Sequence, residues 1–210
     1  MPYLTVAQRR FAYDVEGEGF PLLLTPGDQG TKALWALQMP LLGELCRTIA
    51  YEAQDAPGTA SSEPVTSAAL TAVELAAFLE ALALERVYLA SPPSDWPLAL
   101  QIAHQAPHRL EGLVLVAMPH AHDAVQPLPI PDFPTAHLPT LTVPTLLLLS
   151  DVTDRQHGVI RVLTTQLPHC IQVVLPTQGD FQRRLGHAML HFLIHCERQR
   201  NLVRGASFLL

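Results

Sequence analysis

Three of the chain's 10 histidines, His187, His191 and His195, recur at four-residue spacing. On a helix that spacing sets them along one stripe, and imidazoles one turn apart can share a zinc ion. The zinc-protease pattern also places a glutamate beside the first histidine, whereas here Ala188 follows His187. Leu185, Met189, Phe192 and Cys196 form the opposite stripe. The reading is therefore a helix with its apolar side on the core and its histidines in water, with no metal. His120, His122 and Asp123 form a second cluster, in which alternate residues of an extended segment point the same way. Ligation is open to them, but a polar loop after a strand end is the preferred reading. Cys46, Cys170 and Cys196 show no motif spacing. They read as buried reduced thiols, which places the chain in the cytoplasm.

Composition narrows the classes further. A chain of 210 residues, 49% hydrophobic and 15% charged, is long enough for one domain with a sizeable core. The formal net charge is -6 and no Lys/Arg cluster is present, which argues against nucleic acid as a partner. Apolar runs such as Leu146 to Leu149 are far too short to span a bilayer, so no membrane partner is expected. The opening MPYLTVAQRRF has no apolar run behind a basic head, so no signal peptide is read. No cofactor is expected. Prolines outnumber glycines, 19 to 11, and many fall between Pro119 and Pro144. Proline lacks the amide donor and clashes with the preceding turn. That stretch is therefore expected to be an extended surface loop.

The elements that must position any chemistry follow from periodicity. Alternation over Phe11 to Val15, ending at Glu16 to Gly19, predicts a strand and a tight turn. Pro21 to Thr25 is a continuous apolar run, as expected of a strand buried on both faces. It breaks at Pro26-Gly27-Asp28. Leu34 to Leu45 reads as a helix with Leu34, Leu37, Leu41, Leu42 and Leu45 on one side and a kink or restart at Pro40. Arg47 to Ala53 reads as a strand, residues 55–65 as a loop, and Ser67 to Leu84 as the clearest helix. Further strands are expected at Arg86 to Ala90, Leu113 to Ala117, Thr145 to Leu149 and Ile171 to Leu175. Helices are expected at Trp96 to Gln105, Val159 to Gln166 and Arg184 to Arg200. This alternation predicts an α/β fold with a mostly parallel sheet covered on both faces.

Six segments in order resemble the α/β-hydrolase superfamily, almost end to end. YDVEGEGFPLLLTPG, from Tyr13, is similar to its first hairpin and third strand, and RTIAYEAQDAPG, from Arg47, to its fourth strand. LAAFLEALALERVYLA, from Leu75, resembles the helix and strand before the nucleophile. PLALQIAHQAPHRLEGLVLVA, from Pro97, resembles the helix after it and the sixth strand. VPTLLLLSDVTD, from Val143, is similar to the seventh strand and acid loop, and IQVVLPTQGDF, from Ile171, to the last strand and histidine loop. The resemblance implies one α/β-hydrolase-like domain over residues 1–210, with the proline-rich stretch 120–142 in place of the usual helical cap.

The same resemblance implies a serine nucleophile at a strained strand-to-helix elbow, a histidine base, an acid that orients it, and backbone donors for the oxyanion. This chain departs at each side-chain position. The five elbow positions become Ser91, Pro92, Pro93, Ser94 and Asp95. Pro93 stands at the nucleophile position; it has no nucleophilic atom, and its fixed φ excludes the usual elbow. Asp180 stands at the base position, and an aspartate does not replace a neutral imidazole near pH 7. The acid position falls at Thr153, with Asp151 and Asp154 beside it. Gly27 keeps its place in the oxyanion loop, where Pro26 replaces a histidine. Ser94 is the spare nucleophile and His187 the spare base. Against that, Ser94 or Asp95 is expected to cap the following helix, both being favoured N-cap residues, and Trp96 to crowd the turn.

The expectation is an α/β-hydrolase-like protein without a working triad, binding an unknown ligand or protein partner through the former active-site face. The alternative is a hydrolase of small esters or lactones using Ser94 with a displaced histidine. Self-association is a further expectation, through the proline-rich loop or through the final helix near Leu190 and Ile194.

Overall fold

The computed structural model describes residues 2–6, 9–27, 31–54, 71–117, 133–150 and 154–206. Eight strands form one sheet: β1 (Tyr3–Val6), β2 (Arg9–Glu16), β3 (Phe20–Leu24), β4 (Cys46–Gln54), β5 (Val87–Ser91), β6 (Leu110–Ala117), β7 (Thr145–Leu149) and β8 (Cys170–Val174). The order across the sheet is β1-β2-β4-β3-β5-β6-β7-β8. The β1–β2 and β2–β4 pairs are antiparallel, and every other pair is parallel. Between the strands come α1 (Met39–Leu42), α2 (Ala72–Ala81), α3 (Trp96–Gln105), α4 (Asp154–Gln166) and finally α5 (Phe181–Ala206).

The two-residue period of a strand sorts its side chains onto two cores. Leu23, Leu89, Leu113, Leu115 and Leu147 face α2, α3 and α4, meeting Leu75, Phe78, Trp96, Leu100 and Leu163. Leu22, Leu24, Ala90, Val114, Val116 and Leu148 face the other way, toward Trp35, Leu42, Leu185, Met189 and Leu193. Strands β5 and β7 are buried at every position, which is why their sequences are continuous apolar runs. Each leucine so buried stabilises the fold by roughly 1.5–3 kcal/mol.

Local chemistry sets the element ends. Thr71 and Glu74 form a reciprocal capping box at the start of α2, which satisfies two otherwise orphaned donors. Glu74 also pairs with Arg9 at 3.0 Å, fastening α2 to β2. At the other end of α2 the Leu84 amide bonds the Leu79 carbonyl and the Ala83 amide bonds the Glu80 carbonyl. Ala83 has φ +54° there, the left-handed position of a Schellman stop that usually belongs to glycine. The β2–β3 turn places Gly17 at φ +75°, where a Cβ would collide with the Gly43 carbonyl, so only glycine fits.

Several expectations need correction. The strand β1 was not foreseen. The segment Leu34 to Leu45 is not one helix: it holds a 3-10 turn over Lys32–Trp35 and the single turn α1, which restarts at Met39 with Pro40 in its second position. Its apolar side is not continuous either, since Leu37 is 72% exposed; a helix face cannot persist across a break that rotates it. Helix α2 begins at Ala72 rather than Ser67, because Thr71 is its extended N-cap, and it stops at Ala81. Of the proline-rich stretch 120–142, residues up to 132 lie outside the described residues, His120, His122 and Asp123 among them. Its last part is not extended. It forms a 3-10 helix over Thr135–Thr140, with Phe133 and Leu138 buried in the α2–α3–α4 core. His137 stacks on His104, near the C-terminus of α3, at 4.3 Å between ring centroids. This part of the loop thus packs beside the helices, just ahead of β7, and not over the carboxyl ends of the strands.

Candidate functional site

The carboxyl ends of β3 and β5 bring the candidate residues together. A parallel α/β sheet places its ligand crevice outside these ends. Beyond β3, Gly27 has φ +76°, and an added Cβ would lie 3.0 Å from Pro92 Cγ and 3.5 Å from Ser94 Oγ. The turn after β5 therefore packs directly against this glycine. That turn is a 3-10 helix over Pro93–Asp95 that runs straight into α3. Pro92 and Pro93 are buried in it. Asp95 N–H donates to the Pro92 carbonyl at 3.0 Å.

No residue of this turn has a positive φ; among the described non-glycine residues only Ala83 does. The strained elbow that projects a nucleophile in this architecture is thus absent from residues 91–95. Ser94 is exposed, and the hydrogen bonds of the described residues include none from its hydroxyl. Ser91, at the end of β5, is buried with an unpartnered hydroxyl.

The expected helix cap is not formed: the Asp95 side chain makes no cap hydrogen bond to α3. It turns away instead, and Asp95 Oδ2 accepts the Gly27 N–H at 2.9 Å, with Asp95 only 6% exposed. A backbone donor in the loop after β3 is one of the two that stabilise the oxyanion in this architecture. Here that donor is occupied by a carboxylate of the chain itself. Trp96 does not crowd the face of the site. It is fully buried in the α2–α3–α4 core, its indole N–H donating to the Ser91 carbonyl at 3.1 Å.

The position the resemblance gives to the base has a structural role. Asp180 caps α5: its Oδ1 accepts the Arg183 N–H at 3.1 Å, as an N-cap aspartate does. Thr153 and Asp151 lie outside the described residues, and Asp154 opens α4. His187 sits on the exposed face of α5 with His191 and His195, while Leu185, Met189 and Phe192 are buried. Ser94 and His187 are thus not joined by a hydrogen bond. Among the described residues, no group of three or more His, Cys, Asp or Glu is arranged to hold a metal ion.

The Asp180 cap was legible as a rule, since an aspartate before a helical run is a standard N-cap signal. The Asp95–Gly27 contact was not, because it joins residues 68 positions apart.

This sheet order and these crossovers are those of the α/β-hydrolase fold. The meta-cleavage product hydrolase from Pseudomonas fluorescens IP01 matches with a TM-score of 0.71 at 16% identity, over 93% of this chain and 98% of that one. A thermophilic esterase from Thermogutta terrifontis matches at 0.71 and 18% identity, over 93% and 98% of the two chains. The carboxylesterase CesB from Bacillus subtilis matches at 0.68 and 16%, over 91% and 90%. No family model and no curated protein matches the sequence. The chain has the α/β-hydrolase fold.

Proposed function

We propose that this α/β-hydrolase-fold protein binds a ligand or a protein partner without turning it over. The observation that carries this reading is the hydrogen bond from Gly27 N–H to the Asp95 carboxylate. A transition-state oxyanion needs an unoccupied, preorganised donor. A resident carboxylate there both consumes the donor and repels developing negative charge. Pro93 in an unstrained 3-10 turn supports the same reading, because proline has no nucleophilic atom. The fully reduced set Cys46, Cys170 and Cys196 fits a cytoplasmic setting. No helix among the described residues is long and apolar enough to cross a membrane.

The competing reading is a small ester or lactone hydrolase that uses Ser94. It is favoured by the exposure of Ser94 beside Gly27, though among the described residues no hydrogen bond joins its hydroxyl to a base. Short-chain p-nitrophenyl esters, assayed with the wild type and Ser94→Ala, separate the two. Non-catalytic binding predicts no saturable turnover in either protein. Saturable hydrolysis that disappears in Ser94→Ala establishes the hydrolase instead.

A further inference from the structure

A cavity of about 680 Å³ lies at the opposite, amino end of the sheet. Its place is fixed by the residues that line it. Arg86 precedes β5, Leu110 opens β6, Val143 and Pro144 precede β7, and Cys170 opens β8. The later turns of α5 close one side with Phe192, Cys196 and Arg200. Small-molecule sites span roughly 300–1,000 Å³ and combine apolar walls with a few convergent polar groups. Both conditions are met here.

The polar groups are arranged with a sign. Arg200 Nη1 pairs with Glu111 Oε1 at 2.6 Å, Arg86 Nη1 lies 3.5 Å from Glu111 Oε2, and Arg200 also pairs with Glu197. Behind them the Tyr88 hydroxyl donates to Glu197 at 2.8 Å. The four charges cancel, but they are not equally accessible. The arginine side chains are 40% and 31% exposed, while Glu111 and Glu197 are 10% and 7% exposed. Glu111 lines the cavity as well, but in each pair the carboxylate is the less exposed partner and the guanidinium the more exposed. A guanidinium carries five N–H donors, and Glu111, Glu197 and the Leu110 carbonyl take only some of them. Exposed His169 and His195 stand on the same wall. Burial holds the Cys170 and Cys196 thiols up at about 11. At neutral pH they are uncharged and act as small hydrophobes.

We propose that this cavity binds a monocarboxylate with an apolar body, its carboxylate on Arg86 and Arg200 and its hydrocarbon against Leu110, Val143 and Phe192. The planar fork of arginine matches a carboxylate in a bidentate way that a lysine would not. The apolar body removes water from the wall formed by the strand ends and α5. The site is separate from Gly27 and Asp95, so neither reading of catalysis bears on it.

The test is isothermal titration of octanoate, with octanol and octylamine as matched-length controls. Octanoate should bind saturably and at least about tenfold tighter than either control. Arg86→Gln leaves Arg200 on Glu111 and should weaken octanoate by about tenfold. Gln199→Glu adds a like charge at an exposed lining position; it should also weaken octanoate, and it decides the matter if Arg86→Gln does not fold. Equal binding of octanol, preference for octylamine, no saturation, or octanoate affinity unchanged in Gln199→Glu would each overturn the proposal.

Discussion

The backbone amide of Gly27 donates to the carboxylate of Asp95 at 2.9 Å, across 68 positions of sequence. The contact pins the loop after β3 to the turn after β5 at the sheet's carboxyl end. Because both groups are buried, removing one side leaves the other without water to replace it.

Asp95→Ala should therefore destabilise the fold by about 1–3 kcal/mol, the usual penalty for an orphaned buried donor. Asp95→Asn keeps an oxygen acceptor and should recover much of the loss. Urea unfolding of the three proteins checks this. An Asp95→Ala midpoint equal to the wild type would show that the contact contributes nothing.

Ala83→Gly should stabilise the protein. Ala83 occupies a left-handed position at φ +54° and is exposed, so its methyl group adds strain without packing. Glycine relieves that strain, worth about 1 kcal/mol, and its greater freedom when unfolded offsets only part of the gain. A thermal midpoint below that of the wild type would contradict the Schellman assignment.

Glu74 predicts how stability responds to acid. Burial alone would raise its pKa. The hydrogen bonds from Thr71 and the neighbouring Arg9 guanidinium outweigh that and hold it below the usual 4.5. A depressed carboxyl adds stability that is fully present above the unfolded value and is lost as pH falls through the folded one. Unfolding free energy should thus drop below about pH 4.5. In Glu74→Gln the protein should be less stable at neutral pH and lose less on acidification. Identical acid profiles would remove Glu74 from the account.

The sheet was largely legible in the sequence, because β5 and β7 are short, mostly apolar runs that are buried at every position and bounded by breakers. β1 was not, since YLTV is only 4 residues long and its burial alternates weakly. The break before Pro40 was half legible: proline fixed where a turn restarts, but not how far the face rotates. At the site, Pro93 declared its own chemistry by residue type. The destination of the Asp95 side chain did not follow from its type, because an N-cap and a distant amide compete for the same oxygen and tertiary packing decided. The amino-end cavity draws on Arg86, Glu111 and Arg200, which no local pattern connects.

The Asp180 cap sets a condition on any attempt to build the family's base into this chain. Asp180→His would return an imidazole to the place the resemblance gives it, and would also take away the Oδ1 that receives the Arg183 amide. A lost N-cap costs about 1 kcal/mol. Pro93→Ser alone leaves the Gly27 donor in the grip of Asp95. Neither change made alone frees that donor, so building the family's chemistry onto this chain starts with positions 93, 95 and 180 changed together.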